Sequence, residues 1–341
     1  MSLTKLEMSR RRALAVMGGV LAGPALIGCE ASPAGGGSAS ADGADGGNGF
    51  PVTIDHALGQ TTIAAAPKRV VTVGYTDHEL FLALGLRPVG VRPWFGEKID
   101  HTWPWVRDAW NGSTPTYVGG SELNFEHIAS LRPDVIAGLY AEITDDEYAK
   151  LSAIAPTVAR DAASAPYTTD RAAMFRTAGR VLGKTDAADR SLAEIDARFA
   201  EIRKEHPEFT GKTAAVVDPS QKSFYTFSST DPRGRFLADL GFAAPTQLDK
   251  IIGDKFGAEI SAERADLLEL DRLLLLADAE SRSWLDRNKI FQNLDVVLER
   301  RALEIPYYER PYAGAAMAYN TVLSVPYAVS RLVPKLAAVR S

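Results

Sequence analysis

The stretch Asp186–Lys204 (DAADRSLAEIDARFAEIRK) constrains this chain more than any other. Leu192, Ile195, Phe199 and Ile202 recur at helical spacing and draw one apolar stripe, while the other positions are charged or small. Asp186–Arg190 and Glu194–Arg198 are i,i+4 pairs with the acid first, the favourable order, and Pro207 ends the pattern. A helix of this length is a rod of roughly 30 Å, about the width of a small domain. Each flank alternates strand-like and helix-like segments. The predicted fold is therefore α/β: two doubly wound α/β lobes joined by a single long rigid helix. Periodicity alone also admits an ordinary surface helix inside one domain.

The chain has 341 residues, 46% apolar and 24% charged, enough for two cores in a globular protein. Its formal net charge is −5 and its basic residues cluster only at the N-terminus, which argues against a nucleic-acid partner. Residues 1–28 read as an export signal: Ser9-Arg10-Arg11-Arg12 is followed by an uncharged apolar run, Ala13–Ile27, too short to span a bilayer comfortably. The Arg10-Arg11 pair resembles a twin-arginine signal, with Ala13 where that motif prefers Phe. The sole cysteine, Cys29, closes Leu26-Ile27-Gly28-Cys29, which matches the lipobox of bacterial lipoprotein signals. In such signals the cysteine becomes a lipidated mature N-terminus, and two acyl chains anchor stably where one would not. Residues 29–50 then form a flexible Ala/Gly/Ser/Asp tether. Loss of residues 1–28 takes the net charge to −8.

The expected domains are an N-terminal lobe at 51–168, connecting helices at 169–208 and a C-terminal lobe at 209–341. A hairpin is predicted at Val52–Ile63. Largely parallel strands follow at Val70–Val73, Pro88–Val91, Pro133–Ala137 and Thr157–Ala159, then at Thr213–Val217, Leu273–Leu276 and Leu303–Ile305. The halves echo each other. Glu126, Leu131 and Asp134 precede one buried strand, and Glu263, Leu268 and Asp271 precede another at the same spacings.

Ligands of open parallel sheets sit beyond the carboxyl ends of the strands. The segments leaving those ends carry Tyr75, Arg92 with Trp94, and Tyr140 in the first half. In the second half they carry Tyr225 with Phe227, Trp284, and Tyr308 with Arg310. Aromatic faces and guanidinium groups suit a bulky ligand with anionic or oxygen-rich groups, although tryptophans in the long loop Arg92–Pro115 also serve simply to pack it down. His78-Glu79 and His127 read as solvated helix positions. No nucleophile elbow, zinc-protease helix, phosphate-binding glycine loop or C-x-x-C appears, so nothing favours an enzyme.

Several segments together carry a resemblance: Pro67-Lys68-Arg69-Val70-Val71, Leu84-Gly85-Leu86-Arg87-Pro88-Val89-Gly90-Val91, Asn124-Phe125-Glu126-His127-Ile128 with Leu131-Arg132-Pro133-Asp134, and Gly234-Arg235-Phe236-Leu237-Ala238-Asp239-Leu240-Gly241-Phe242. From about Val52 to the C-terminus the chain resembles the substrate-binding lipoproteins of ABC importers for iron–siderophore complexes and cobalamin, the siderophore branch most closely. The resemblance implies two lobes with a ligand cleft between them and little hinge motion. It further implies a ferric siderophore as ligand, no cofactor, no directly bound metal, a monomer, and delivery to a membrane permease with its cytoplasmic ATPase. Glu126 and Glu263 match the acids that dock each lobe on that permease. Hydroxamate binders of the family carry an arginine in the loop before the Glu126 helix; here the loop reads Gly119-Gly120-Ser121-Glu122, leaving Arg92, Arg233 or Arg310 to substitute. Hydroxamate, catecholate, carboxylate and haem ligands stay open, as does cobalamin. An exported lipid-anchored hydrolase and a purely structural envelope lipoprotein are the readings from other classes. The expected location is the outer face of the cytoplasmic membrane. Cys29→Ala should release the protein from the membrane fraction with ligand affinity unchanged; retention there after signal removal would refute the lipobox reading.

Overall fold

Hydrophobic side chains alternate sides along the central strands, and each side belongs to a different core. The computed structural model describes residues 49–94, 101–120, 122–219 and 223–339, all within one compact unit. The signal segment, Cys29 and the tether up to residue 48 lie outside the described residues.

The first half opens with an antiparallel hairpin, β1 (Val52–His56) and β2 (Gly59–Ile63). It continues through β3 (Val70–Thr72), α1 (Asp77–Ala83), β4 (Gly90–Val91), α2 (Arg107–Trp110) and α3 (Phe125–Ser130), then β5 (Val135–Gly138), α4 (Asp145–Ile154) and β6 (Thr157–Ala159). Its sheet, β4-β3-β5-β6, is parallel throughout. Two helices follow, α5 (Arg171–Leu182) and α6 (Thr185–Glu205). The second half carries β7 (Ala214–Asp218), β8 (Phe224–Phe227), α7 (Pro232–Asp239), α8 (Thr246–Ile252) and β9 (Gly257–Ile260), then a 3-10 segment (Ala262–Leu268) and β10 (Arg272–Leu275). It ends with α9 (Ala279–Arg287), α10 (Lys289–Gln292), α11 (Asp295–Leu298), β11 (Ala302–Glu304), α12 (Ala313–Tyr319) and α13 (Ser324–Ala337).

The second sheet, β11-β10-β7-β8-β9, corrects the expectation of a largely parallel one: β7–β8 and β8–β9 are antiparallel. The physical reason is chain length. Only residues 219–223 separate β7 from β8, whereas a parallel crossover needs about a dozen or more.

Along β3 and β5, Val70, Val135 and Ala137 enter one core while Val71 and Ile136 enter another. Along β7 and β10, Ala214, Val216 and Leu274 join that same first core, with Ala215, Val217, Leu273 and Leu275 on the opposite face. One apolar core is therefore continuous between the two sheets. The stripe of α6 supplies Leu192, Ile195, Phe199 and Ile202 to it, all buried, with Phe199 edge-on to Phe236 of α7 at 5.8 Å. The expected i,i+4 pairs give way to others: Arg198 meets Glu201 at 3.1 Å and Arg176 of α5 meets Asp189 at 2.8 Å. Such exposed pairs contribute little, so burial of the stripe holds α6.

The internal echo has a structural basis. Asp134, just before β5, accepts hydrogen bonds from the backbone N–H groups of Lys68 (2.8 Å) and Arg69 (2.9 Å) at the entry to β3. Asp271, just before β10, accepts from Thr213 N (2.8 Å) and Oγ1 (2.9 Å) at the entry to β7. Each carboxylate satisfies donors that would otherwise be left open at a strand start. The match is incomplete, because Glu126 sits on an α-helix and Glu263 on a 3-10 segment kinked at Arg264.

His78-Glu79 overturns the expectation of a solvated face: both residues are fully buried. Trp105 Nε1 donates to Glu79 Oε1 at 2.8 Å, and the Thr321 hydroxyl, just beyond α12, donates to Glu79 Oε2. The carboxyl group can be buried because two donors reach it from far along the chain. His78 lies parallel to Trp110 (6.4 Å) and edge-on to Tyr319 (6.0 Å), and burial pulls its pKa down to about 3. Burial pushes the Glu79 carboxyl up from 4.5 to about 7, against the pull of Thr321 and Trp105. The folded protein thus keeps a proton that the unfolded chain releases, and Glu79's contribution to stability falls as pH rises from about 4.5 to about 7. Glu79→Gln, which cannot ionise, should gain on the wild type by about 1–3 kcal/mol between pH 5 and pH 8 in denaturant titrations. Asp77, also raised to about 7 by burial, is present in both proteins and cancels in that difference. A pH-independent difference would show that Glu79 does not titrate in this window.

Candidate functional site

The carboxyl ends of strands from both sheets converge on one cavity of about 900 Å³. Trp94 follows β4 and Tyr140 follows β5; from the other sheet come Asp218 at the end of β7, Ala277 beyond β10 and Tyr307 beyond β11. This is the position at which open α/β sheets present ligand-binding loops, and the volume suits a large small-molecule ligand.

The inner polar feature is built on the start of α7. Asp231 caps that helix, accepting from Arg233 N at 2.9 Å, with Pro232 at the first helical position. The same carboxylate accepts from Arg233 Nη1 through both oxygens, each at 2.9 Å. Phe227 lies under the guanidinium, 3.8 Å from ring centroid to Cζ. Gly234 is needed here because any Cβ would collide with the backbone of Ser228 and Ser229. Burial pulls the Arg233 pKa down, but the Asp231 carboxylate and the Tyr307 and Tyr140 phenols more than offset it, and the pKa lies above its ordinary value. Burial raises the phenols of Tyr140, Tyr307 and Tyr167, the last to about 12, so all three stay protonated donors at neutral pH.

Of the residues singled out from sequence, Trp94, Tyr140, Phe227, Trp284 and Tyr308 line this cavity. Tyr75 and Arg92 sit one layer behind it. Arg92 lies 4.5 Å over the Tyr75 ring, and that ring stacks on Tyr167 at 5.8 Å and meets Trp94 edge-on at 6.1 Å. Tyr225 also backs the lining, against Phe227 (5.3 Å) and Phe256 (6.0 Å). Arg310 is exposed, lies 6.0 Å over Tyr312 and is not among the lining residues. Glu126 and Glu263 are exposed and outside the lining as well.

Three of the four loop tryptophans serve the fold. Trp103, Trp105 and Trp110 are buried at 5%, 9% and 2% exposure. Trp103 meets Tyr319 edge-on at 5.2 Å, and Trp105 packs on Tyr327 of α13 at 5.3 Å. Trp94 alone of the four reaches the cavity, where it stacks on Tyr319 at 4.7 Å. The residues that sequence reasoning passed over are Asp231, Tyr167, Phe256, Tyr307 and the acids of the outer wall. The Asp231-Pro232 helix start was a readable signal for the first of them.

A sequence model described as periplasmic binding protein matches residues 70–297. A probable siderophore-binding lipoprotein of Bacillus subtilis is 30% identical over 288 residues, covering 80% of this chain and 85% of its own. An Fe(3+)-citrate-binding protein of the same organism is 26% identical over 80% of this chain and 82% of its own. The iron-uptake ABC transporter substrate-binding protein PiaA of Streptococcus pneumoniae, solved also in complex with ferrichrome, superposes with a TM-score of 0.71 at 28% identity, covering 84% of this chain and at least 97% of its own. A periplasmic solute-binding protein of Mycobacterium smegmatis gives 0.72 at 29% identity, over 84% of this chain and 98% of its own. The superpositions span 84% of this chain, so the likeness in fold takes in both sheets and α6 between them. The chain belongs to the periplasmic binding protein family, in its class III form, and is a substrate-binding protein rather than an enzyme.

Proposed function

We propose that this protein captures a ferric siderophore outside the cytoplasmic membrane and delivers it to an ABC importer permease. The observation that carries the reading is the cavity itself. Indole and phenol faces from both lobes surround one buried guanidinium, a lining suited to a bulky, oxygen-rich complex. Relatives named for siderophore and ferric citrate binding, and a structural neighbour that holds ferrichrome, support it. In this reading the lobes are residues 51–168 and 209–341, joined by 169–208, and the mature chain is a monomer tethered through lipidated Cys29. The ligand is held without a separate cofactor. Trp94, Tyr140, Phe227, Trp284 and Tyr308 contact it, while Tyr75, Arg92 and Tyr225 support that layer. Glu126 and Glu263 serve the permease, one on the outer surface of each lobe.

Titration of the purified protein with ferric complexes should quench its tryptophan fluorescence saturably; a flat response across hydroxamate, catecholate and citrate complexes would remove the proposal. Trp94→Ala should weaken binding by about 2 kcal/mol, roughly 30-fold, whereas Tyr225→Phe should stay within about threefold. Equal losses in the two variants would place Tyr225 in the first contact layer. Reversing both Glu126 and Glu263 to Arg should abolish uptake with affinity and folding nearly intact, and one reversal should have an intermediate effect. Unchanged uptake in the double reversal would leave these acids as helix starts only.

A further inference from the structure

The segment that leads out of the first lobe makes a turn that its sequence should resist. Ala165-Pro166-Tyr167-Thr168 is closed by Thr168 N donating to Ala165 O at 3.2 Å, and the Thr168 hydroxyl donates to the same carbonyl at 3.0 Å. Pro166 occupies the second position, as in many type II turns, and Tyr167 takes the third with φ +63°. That position is ordinarily glycine, because a Cβ in the left-handed region crowds the backbone, and a bulky side chain is rare there. Among the described non-glycine residues of positive φ, Tyr167 alone lines the cavity. Strain of this kind persists where the surroundings enforce it, and it gathers at sites of function.

The surroundings enforce it from both halves of the chain. Tyr75 stacks on the Tyr167 ring at 5.8 Å, Tyr140 meets it edge-on at 5.8 Å, and Phe256 of the second lobe meets it edge-on at 5.6 Å. The backbone of Glu142 hydrogen-bonds the phenol. The main chain is held by Arg235 of α7. Its Nη2 donates to Thr168 O at 3.1 Å, and its Nη1 reaches Asp170, the residue that caps α5, at 3.5 Å. Its Nε donates to Thr230 O at 2.8 Å, which fixes the guanidinium to the loop before α7. One arginine of the second lobe thus pins the exit of a turn whose ring is pinned by aromatics.

Resting on the siderophore reading above, we propose that Tyr167 is a ligand-binding residue kept in a strained turn for that purpose, and that Arg235 is its positioning residue. A ring set in place beforehand spares the complex the cost of ordering a mobile side chain. The ring rather than the hydroxyl does the binding, since Glu142 already engages the phenol. A tyrosine kept only to pack the segment would show the opposite balance: losing it would cost stability and leave affinity alone.

The test titrates ferrichrome, ferric citrate and a ferric tricatecholate into wild type and variants by tryptophan fluorescence, and follows the melting midpoint of each unliganded protein. Tyr167→Gly should weaken the best-bound complex by about 10- to 30-fold. Its midpoint should stay within about 3 °C of wild type, because relief of the turn offsets the lost packing. Tyr167→Phe should keep affinity within about threefold. Arg235→Gln should weaken binding by about three- to tenfold, and adding it to Tyr167→Gly should cost less than about a further twofold, since its effect passes through the ring. Full additivity of the two losses would mean that Arg235 acts through Thr230 and the start of α7, and overturns its role. Unchanged affinity in Tyr167→Gly overturns the contact. A midpoint lowered by about 10 °C or more in both Tyr167→Gly and Tyr167→Asn, the latter tolerant of a left-handed backbone, makes the ring a packing element and overturns the proposal. A wild-type protein that binds none of the three complexes removes the siderophore reading, and this inference falls with it.

Discussion

The arrangement of this protein depends on Tyr319. Its ring, fully buried at the end of α12, is met by Trp94, Trp103 and Trp105 from the loop after β4 and by His78 from α1. That contact joins elements of the first half to α12, which packs on α7 and α13 of the second. Buried polar ties reinforce it. Glu79 is held by Trp105 and Thr321, and Arg171 of α5 reaches Asn320 at 2.7 Å and Asp239 at 2.9 Å. A large aromatic buries about 150–250 Å², so exposing one costs about 4–6 kcal/mol, and parting the lobes would expose several. That sum is comparable to the whole stability of a typical domain, about 5–15 kcal/mol. The cavity walls are consequently held at a set separation before any ligand arrives.

With the walls fixed, the strand ends decide what faces inward. Among the described residues the first lobe offers mainly Trp94, Tyr140 and Tyr167, all aromatic, while the second supplies the charged lining groups. The division follows from local structure. Asp231-Pro232 starts α7 and Asp278 starts α9, so two helix caps bring carboxylates to the cavity, and Glu280 stands two residues beyond the second. Recognition by shape and recognition by charge thus come from different halves of the chain.

Much of the frame was legible in the sequence because local signals agreed with one another. The stripe of α6, and the opening hairpin and parallel strands of the first half, needed only periodicity and turn chemistry. What escaped depended on distant partners. Glu79 looks solvated at the start of a helix, and its donors lie 26 and 242 residues away. Phe224–Phe227 is a short apolar run without alternation, and β9 reads Gly-Ala-Glu-Ile, so neither announces an antiparallel pair. Among the arginines, Arg92 is drawn onto Tyr75 and Arg310 onto Tyr312, while Arg233 faces the cavity. Spacing along a chain carries no information on which of three guanidinium groups a tertiary fold will turn inward. The tryptophan loop posed the same ambiguity, and the fold resolved it by burying all four indoles and letting one of them, Trp94, also line the site.

The shared core has a kinetic consequence. On the proposed function, walls held apart by this packing give the receptor nearly one outline, full or empty, so occupancy is announced chiefly by the cargo itself, at the open side of the cavity. Any membrane partner that grips the outer surface will meet empty receptors as readily as full ones. The two populations then compete for one landing place. On that reading throughput would depend on the proportion of receptors that are loaded, and more receptor without more ligand would slow delivery.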